Sequence, residues 1–362
     1  MSQNINLKSC FSDLKVIELS SVLAGPSVGL FFSELGADVI KIENKNTKGD
    51  VTRSWKLKSE NGKDTASAYF WSVNAGKKSI LLDIKNPIDL KKVYEYITSA
   101  DVLITNFKQG DDFKLKLDYK TVKKINPKLI YASITGFGSN VFRTAYDLIL
   151  QAESGFMFMN GEKKSQPLKM PVAIIDILAA HQLKEAVLIA LLNRFKSKAG
   201  CHVSVSLFDT AIASLANQAT NWLIANDLPQ ANGSLHPNIA PYGEIFTTKD
   251  NQQITFAIGS NQQFNALLEI LELADEKQNA KYLTNQLRVK NRELLFDVLN
   301  NKIKTINFKG IYKNCIANDI PIGKIRNLKE VFELPMAKKM IKKTIYKNQT
   351  LRTVNSIAFQ VL

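Results

Sequence analysis

Apolar and polar positions in the first 207 residues alternate between two periods. Leu14 to Leu19, Ala37 to Glu43, Ser79 to Ile84, Asp101 to Phe107 and Leu129 to Ile134 are short apolar runs of the kind found in strands buried on both faces. Cys201 to Leu207 alternates as a half-buried strand does. Between these runs lie stretches at helical spacing: Ser27 to Leu35, Asp89 to Thr98, Tyr119 to Ile125 and a long one from Ile177 to about Lys196. Pro26 suits the first helical position and Gly36 the stop after it. Strands alternating with helices predict an α/β fold, an open parallel sheet covered by helices in the Rossmann manner. Asp209 to Trp222 reads as one further helix, and Asp227 to Gly243, rich in Pro, Asn and Gly, as a linker. A strand from Gln253 to Ile258, the turn Gly259-Ser260-Asn261 and helices to about Thr305 predict a smaller α+β domain. The expected plan is a large α/β domain over 1–226, linker and small domain over 227–315, and a return to the large domain over 316–362, marked by Ile320-Pro321-Ile322-Gly323.

One position breaks the apolar pattern in a chemically useful way. In Pro171 to Ala180, Asp176 is the single carboxylate of an otherwise apolar run. An acid in such surroundings has partners or does chemistry, because burying an unpaired charge is costly. The helical pattern from Ile177 places Asp176 at an N-cap, where its oxygens would accept free first-turn amides and the helix dipole would favour its ionised form. The inward face of that helix is expected to carry Leu178, His181, Gln182, Leu183, Ala186, Val187, Ile189, Ala190 and Leu191. A simple cap and a desolvated nucleophile both fit the local sequence.

Composition narrows the class. With 45% hydrophobic and 22% charged residues this is an ordinary globular composition. No apolar stretch reaches the roughly 18 residues of a membrane span, and the first residues lack the apolar core of a signal peptide. Cys10, Cys201 and Cys315 are odd in number and far apart, so no disulfide framework is expected and a reducing cytoplasm fits. The net charge is +15, but +10 of it falls after residue 300, with Lys338, Lys339, Lys342 and Lys343 densest. That cluster lacks interleaved aromatics, so a solvated face is expected, with neither a nucleic-acid nor a membrane partner. His181, His202 and His236 are too scattered for a metal site, and no metal is expected. Gly25, Gly29 and Gly36 do not make the G-x-G-x-x-G of a dinucleotide fold, although the Gly25 turn can present amides to a phosphate. In a parallel sheet, ligands bind at the carboxyl ends of the strands, where Leu23, Lys85, Asn106, Lys108 and Gly136 are expected to gather.

A set of stretches in fixed order resembles the family III CoA-transferases, the carnitine and formyl-CoA transferase group. They are Leu23-Ala-Gly-Pro26, Glu34-Leu-Gly-Ala-Asp-Val-Ile-Lys-Ile-Glu43, Gly49-Asp50 with Thr52-Arg53 and Trp55, and Asn74-Ala-Gly-Lys-Lys-Ser-Ile80. Ala100 to Gly110, Asn126 to Gly138, Tyr146-Asp147 with Gln151, the Asp176 segment, His236-Pro-Asn and Ile320 to Gly323 complete the series, from residue 13 to about 335. The resemblance implies that Asp176 is the nucleophile. It would attack an acyl-CoA thioester to give an aspartyl anhydride, pass through an aspartyl-CoA thioester, and deliver CoA to an acceptor carboxylic acid. It implies coenzyme A as co-substrate, contacted by Val22, Leu23, Ala24, Leu82, Lys85, Asn106, Phe107, Lys108, Lys114, Gly136, Phe137 and Gly138. Trp55, Tyr146, Gly259, Ser260 and Asn261 would meet the acyl group or acceptor. It further implies an interlocked homodimer, and short dicarboxylates such as succinate are the expected acids.

Departures from the pattern are Asn44 and Thr135, where some members carry arginine and lysine, and Leu23 in place of the formyl-CoA type's glutamine. The chain also ends at Leu362, short of the longer tail of typical members. Two alternatives are an α-methylacyl-CoA racemase and a non-catalytic CoA-binding paralogue. The racemase branch uses a histidine where Tyr146 stands, and a phenol with an ordinary pKa near 10 suits α-proton abstraction poorly.

Overall fold

The computed structural model of the chain describes residues 6–60, 66–138, 141–347 and 349–361. Strand β1 (Lys15–Leu19) buries every residue after Lys15. It lies inside a six-stranded sheet with β2 (Asp38–Asn44), β3 (Lys78–Leu82), β4 (Val102–Thr105), β5 (Ile130–Thr135) and β6 (His202–Ser206). The order is β3-β2-β1-β4-β5-β6 and every pairing is parallel, so the expected Rossmann-like sheet is present. All four residues of β4 are buried, whereas the edge strands β3 and β6 keep exposed positions. This is the burial expected when helices cover both faces of a parallel sheet.

The covering helices are α1 (Ala24–Glu34), α2 (Ala68–Asn74), α3 (Pro87–Thr98), short α4 (Asp111–Lys114), α5 (Tyr119–Ile125), α6 (Asp147–Glu153), short α7 (Phe156–Met159), α8 (Ile174–Ser197), α9 (Leu207–Ala213) and α10 (Ala216–Ala225). Alternate strand residues feed two cores. Val16 and Ile104 pack with Val28 and Phe32 of α1 and with Ala179, Leu183 and Val187 of α8. Their neighbours Ile17 and Leu103 pack on the other face with Val93 and Ile97 of α3 and Val122 of α5. The expected single helix from Asp209 to Trp222 is instead the pair α9 and α10, separated at Ser214 and Leu215, with Ala216 at φ +49°.

The chain divides into two compact units, and their limits differ from the expected ones. The smaller comprises Phe158–Leu168 and Pro229–Lys338, and the larger takes the rest. Ile320 to Gly323 does not begin the return to the large unit. Ile322–Lys324 is strand β9, paired antiparallel to β8 (Gln253–Ala257), which pairs with β7 (Tyr242–Thr247). Helices α11 (Asn261–Ile270), α12 (Asn285–Lys290), α13 (Arg292–Ile303) and α14 (Phe308–Ala317) join this sheet around a core of its own that includes Phe246, Phe256, Phe264, Leu299 and Ile311, and the short α15 (Leu328–Glu333) and α16 (Pro335–Lys338) end the unit. The strand had no legible length, since three residues between Pro321 and Ile325 carry no periodicity.

The return comes at Lys339 and forms the hairpin β10 (Ile341–Tyr346) and β11 (Gln349–Val354) within the large unit. Tyr346 packs on Trp71 of α2 with ring centres 4.6 Å apart. Lys342 of the basic cluster pairs with the nearly buried Glu34 carboxylate at 3.1 Å. Part of the basic tail therefore serves to dock the hairpin.

Candidate active site

Asp176 lies in the first turn of α8, not at its cap. The helix starts at Ile174, the capping position is Ala173, and no side chain of the cap residue accepts an amide. The buried stripe of α8 runs through Ile175, Asp176, Ala179, Ala180, Leu183, Lys184, Val187, Ala190 and Leu191. Asp176 is thus on the core-facing side by helical period, while His181, Gln182 and Ile189, expected inside, are exposed. Asp176 is only 8% exposed, and among the described residues its carboxylate accepts no hydrogen bond. Burial, and after it the charge of Asp147, push its pKa from an ordinary carboxylate value up to about 7. The expectation that the helix dipole would keep it readily ionised is overturned, because desolvation outweighs a first-turn dipole contribution.

The work assigned to Asp176 as a cap is done by a residue 29 positions earlier. Asp147 opens α6, and its Oδ1 accepts the amides of Ile175 at 2.8 Å and Asp176 at 3.4 Å. Its Oδ2 accepts from Gln151 Nε2 at 2.6 Å, and the fully buried Gln151 accepts the Met170 amide through Oε1 at 2.8 Å. The segment before α8 is thereby tied to α6 by side chains on one helical face, four residues apart.

At the end of β1 the chain turns through Ser20 to Leu23 into α1. Val22 has φ +71°, a left-handed conformation that is costly for a β-branched residue and survives only where its surroundings enforce it. A buried charge network enforces it. The Val22 amide donates to Asp50 Oδ2 at 3.3 Å, and that oxygen lies 3.1 Å from Lys41 Nζ. Lys41 also reaches Glu18 at 2.9 Å and the Ser20 carbonyl at 2.7 Å, and Lys77 holds Glu18's other oxygen at 2.7 Å. Burial would raise the pKa of Glu18, but Lys41 and Lys77 outweigh it and keep the carboxyl below its usual range. Lys77, fully desolvated and facing Lys41 as well as Glu18, is pushed down to about 8. Gly29 is required here, because a Cβ on α1 would overlap the Glu18 carboxylate. On the other side, Asn106 brackets Ser21, accepting its amide at 3.0 Å and donating to its carbonyl at 2.8 Å. That capture draws the chain out of the sheet after Thr105, two residues before the expected end of β4.

These elements meet in a cavity of about 210 Å³ at the carboxyl edge of the sheet. Of the residues expected at the site, Val22, Leu23, Ala24, Asn106, Phe107, Lys108, Gly136, Gly138, Tyr146 and Asp176 line it together. The N-terminus of α1 opens here too. Its cap Leu23 offers no side-chain acceptor, Pro26 has no N–H, and among the described residues the Ala24 and Gly25 amides lack acceptors. A second cavity of about 300 Å³ shares Ser21 and Phe107 with the first and continues past Glu43, Asn44, Asp50 and Ile84. Helix N-terminal amides at a strand's carboxyl end suit an anionic ligand, and the adjoining cavity extends the space beside them as far as Asn44 and Ile84.

The other expected residues stand elsewhere. Leu82 is buried in the core on the α3 face, while Lys85 and Lys114 are exposed, Lys114 paired with Asp111. Phe137 packs against Phe208 and carries the Arg143 guanidinium over its ring at 4.7 Å. Trp55 is 42% exposed and meets Tyr69 edge-on. Gly259, Ser260 and Asn261 belong to the smaller unit, where Ser260 caps α11 and Asn261 accepts from the buried Arg288 at 2.9 Å.

Arg143 and Tyr69 escaped the sequence reading, and Asp147 entered it only within the Tyr146-Asp147 motif, with no role at the site. Neither the coil at Arg143 nor the start of α6 carries a local pattern that announces its place in the site. Tyr69 on α2 is half-buried, and burial together with the charges of Asp176, Asp147 and Asp50 pushes its pKa up to about 12, so the phenol stays neutral. Among the described residues the cavity's cationic side chains are Lys108 and Arg143. The described residues hold no cluster suited to a metal ion, and no helix among them is long and apolar enough to cross a membrane.

Comparison with known proteins sets this geometry beside related chains. Residues 11–360 match the model of CoA-transferase family III. The chain is similar to a succinate–glutarate CoA-transferase of Agrobacterium fabrum, 38% identical over 341 residues, which cover 92% of this chain and 84% of that one. It is also similar to the human succinyl-CoA:glutarate CoA-transferase, 34% identical, covering 89% and 73% of the two chains. Among solved structures it resembles a CaiB/BaiF family protein from Brucella suis, with a TM-score of 0.84 and 35% identity over 99% of this chain and 93% of that one.

Proposed function

The chain belongs to CoA-transferase family III and is a CoA-transferase, and from that premise we propose that it moves CoA between short dicarboxylic acids through covalent chemistry at Asp176. One observation carries this reading: among the described residues the cavity is lined by a single carboxylate, the nearly buried Asp176, and by the start of α1, where the Ala24 amide has no acceptor. In the proposed first step an Asp176 oxygen forms a bond to the thioester carbon. The carbonyl electron pair moves onto oxygen, where the Ala24 and Gly25 amides would stabilise it. Collapse breaks the C–S bond and releases the thiolate of CoA, leaving an aspartyl anhydride. The thiolate then attacks the aspartyl carbonyl, giving an aspartyl-CoA thioester and the first free acid. The acceptor carboxylate repeats the sequence in reverse.

The adjoining cavity from Phe107 to Asn44 and Ile84 supports binding of the pantetheine and nucleotide parts of CoA, and the exposed Lys85 and Lys114 are offered for its phosphates. Binding energy from those remote parts can offset the weak nucleophilicity of a carboxylate. Exposed Lys108 supports an acid with a second carboxylate, whereas Arg143 on the same wall is already paired with both oxygens of Glu153, and the two relatives are named for succinate or succinyl-CoA and glutarate. Tyr146, 58% exposed on the cavity wall, is offered as an acyl-group contact, with half-exposed Trp55 as a further one. Exposed Ile189, Leu192 and Phe195 on α8 and Leu223 and Ile224 on α10 support a homodimer, and three free thiols support a cytoplasmic location.

The test is to trap the acyl enzyme. After incubation with succinyl-CoA, hydroxylamine or borohydride followed by peptide mapping should mark Asp176. Asp176→Ala should lose CoA exchange between succinate and glutarate while keeping its circular dichroism. Exchange at the parental rate in that variant would overturn the reading.

A further inference from the structure

Asp147 makes an unusual contact for a cap. It reaches α8 from another helix, its two oxygens are both engaged, and the amide it holds at 3.4 Å belongs to Asp176 itself. A neutral side chain such as asparagine would cap a helix nearly as well as aspartate. Here, however, aspartate places a full negative charge beside a residue whose reactive form is also an anion.

We propose that Asp147 is the positioning residue of the active site: its carboxylate fixes the first turn of α8 so that Asp176 faces the cavity, and its negative charge opposes the charge on Asp176, which attack on the substrate removes. This rests on the covalent role of Asp176. The geometry gives both parts. Rotation of the first turn is restrained because Ile175, fully buried, and Asp176 are gripped by one oxygen, and Asp147 is itself held by Gln151, which is anchored to the Met170 amide. As the new C–O bond forms, the negative charge leaves Asp176 for the thioester oxygen and then for the departing thiolate. Repulsion from Asp147 is therefore stronger in the ground state than in the transition state, the condition for acceleration. A carboxylate made more basic in this way is also the better nucleophile at a given degree of ionisation.

Other charged or titratable groups surround Asp176. Tyr69 on α2, a neutral phenol, feels its charge, and Lys108 and Arg143 line the cavity wall, Arg143 paired with Glu153 of α6. Helix α9 carries Asp209, and α1 has no charged residue before Glu34 at its far end. On α8 itself Lys184 lies two turns on, over the Phe31 ring.

The experiment compares pH profiles of CoA exchange for the parent, Asp147→Asn, Asp147→Glu and Asp147→Ala, with circular dichroism on each. The parent's acid limb should fall near pH 7. Asp147→Asn keeps an acceptor for the two amides but loses the charge, so its acid limb should move down by about 0.5–1.5 pH units, as removal of a like charge requires. Its plateau kcat should fall about tenfold with the KM for acyl-CoA nearly unchanged. Asp147→Ala loses grip as well as charge and should lose about a hundredfold or more in kcat, and Asp147→Glu should recover part of that and keep the parental acid limb. A folded Asp147→Asn whose profile superposes on the parent's would overturn the proposal. So would a folded Asp147→Ala with parental kcat. If Asp176→Ala is inactive while either result holds, only the role of Asp147 fails; if Asp176→Ala is active, the underlying reading fails.

Discussion

Replacing Asp176 by asparagine should stabilise the protein, by an amount that depends on pH in a defined way. In the folded chain its pKa is about 7, against about 3.8 when the group is exposed. A raised carboxyl pKa means that the folded state holds its proton more tightly than the unfolded state does. Between pH 4 and 7 the native form therefore keeps a proton that the unfolded form has lost, and stability falls as pH rises. The loss grows by about 1.4 kcal/mol per pH unit and levels off above pH 7 at about 4 kcal/mol. Asparagine has nearly the same shape and never ionises, so it escapes this cost. It does bury an amide with no partner in place of the acid, which costs about 1 kcal/mol. Asp176→Asn should thus be more stable than the parent by about 3 kcal/mol at pH 8 and within about 1 kcal/mol of it at pH 4.5. Urea denaturation of both proteins at pH 4.5, 6, 7 and 8 measures this directly, with equal m values confirming a common unfolding transition. A stability difference that stays flat across that range would refute the reasoning. So would a parent more stable than the variant at pH 8, because either result would mean that the ionised carboxylate is well solvated or well paired.

Two further outcomes follow from the surroundings of the site. Lys41→Met leaves Glu18 and Asp50 without the ammonium between them and should cost about 3–5 kcal/mol in urea unfolding, as loss of one member of a buried ion network does. The Val22 turn should relax with it, so a KM for acyl-CoA equal to the parent's would contradict the link between network and turn. Lys108→Gln should raise the KM for succinate or glutarate about 10–100-fold while changing the KM of a monocarboxylate acceptor little, the pattern expected when a charged partner of one ligand group is removed. Equal effects on both acids would remove Lys108 from acid recognition.

The sequence by itself determined the sheet. All six strands and the helices between them were legible, because a parallel sheet covered on both faces demands continuous apolar runs, which β1, β4 and β5 supply, and because the edge strand β6 alternates. It also singled out Asp176, because one acid in an apolar helical start is a break that needs no neighbour to be seen. Motif order supplied Val22, Leu23, Asn106, Lys108 and Gly136, all of which line one cavity. Several things only the tertiary structure decided. Local pattern assigned the α8 cap to Asp176, but the amides are taken by Asp147, which is 29 residues away in sequence. The protonation of Asp176 was misjudged for the same reason: the helix dipole is a local property, whereas desolvation and the charge of Asp147 exist only after α6 and α8 have packed. The network of Glu18, Lys41, Asp50 and Lys77 reads in sequence as ordinary scattered charges. Periodicity reports which face of an element turns inward, and it carries no information about which two buried faces will meet. The energy of a charge depends on that meeting.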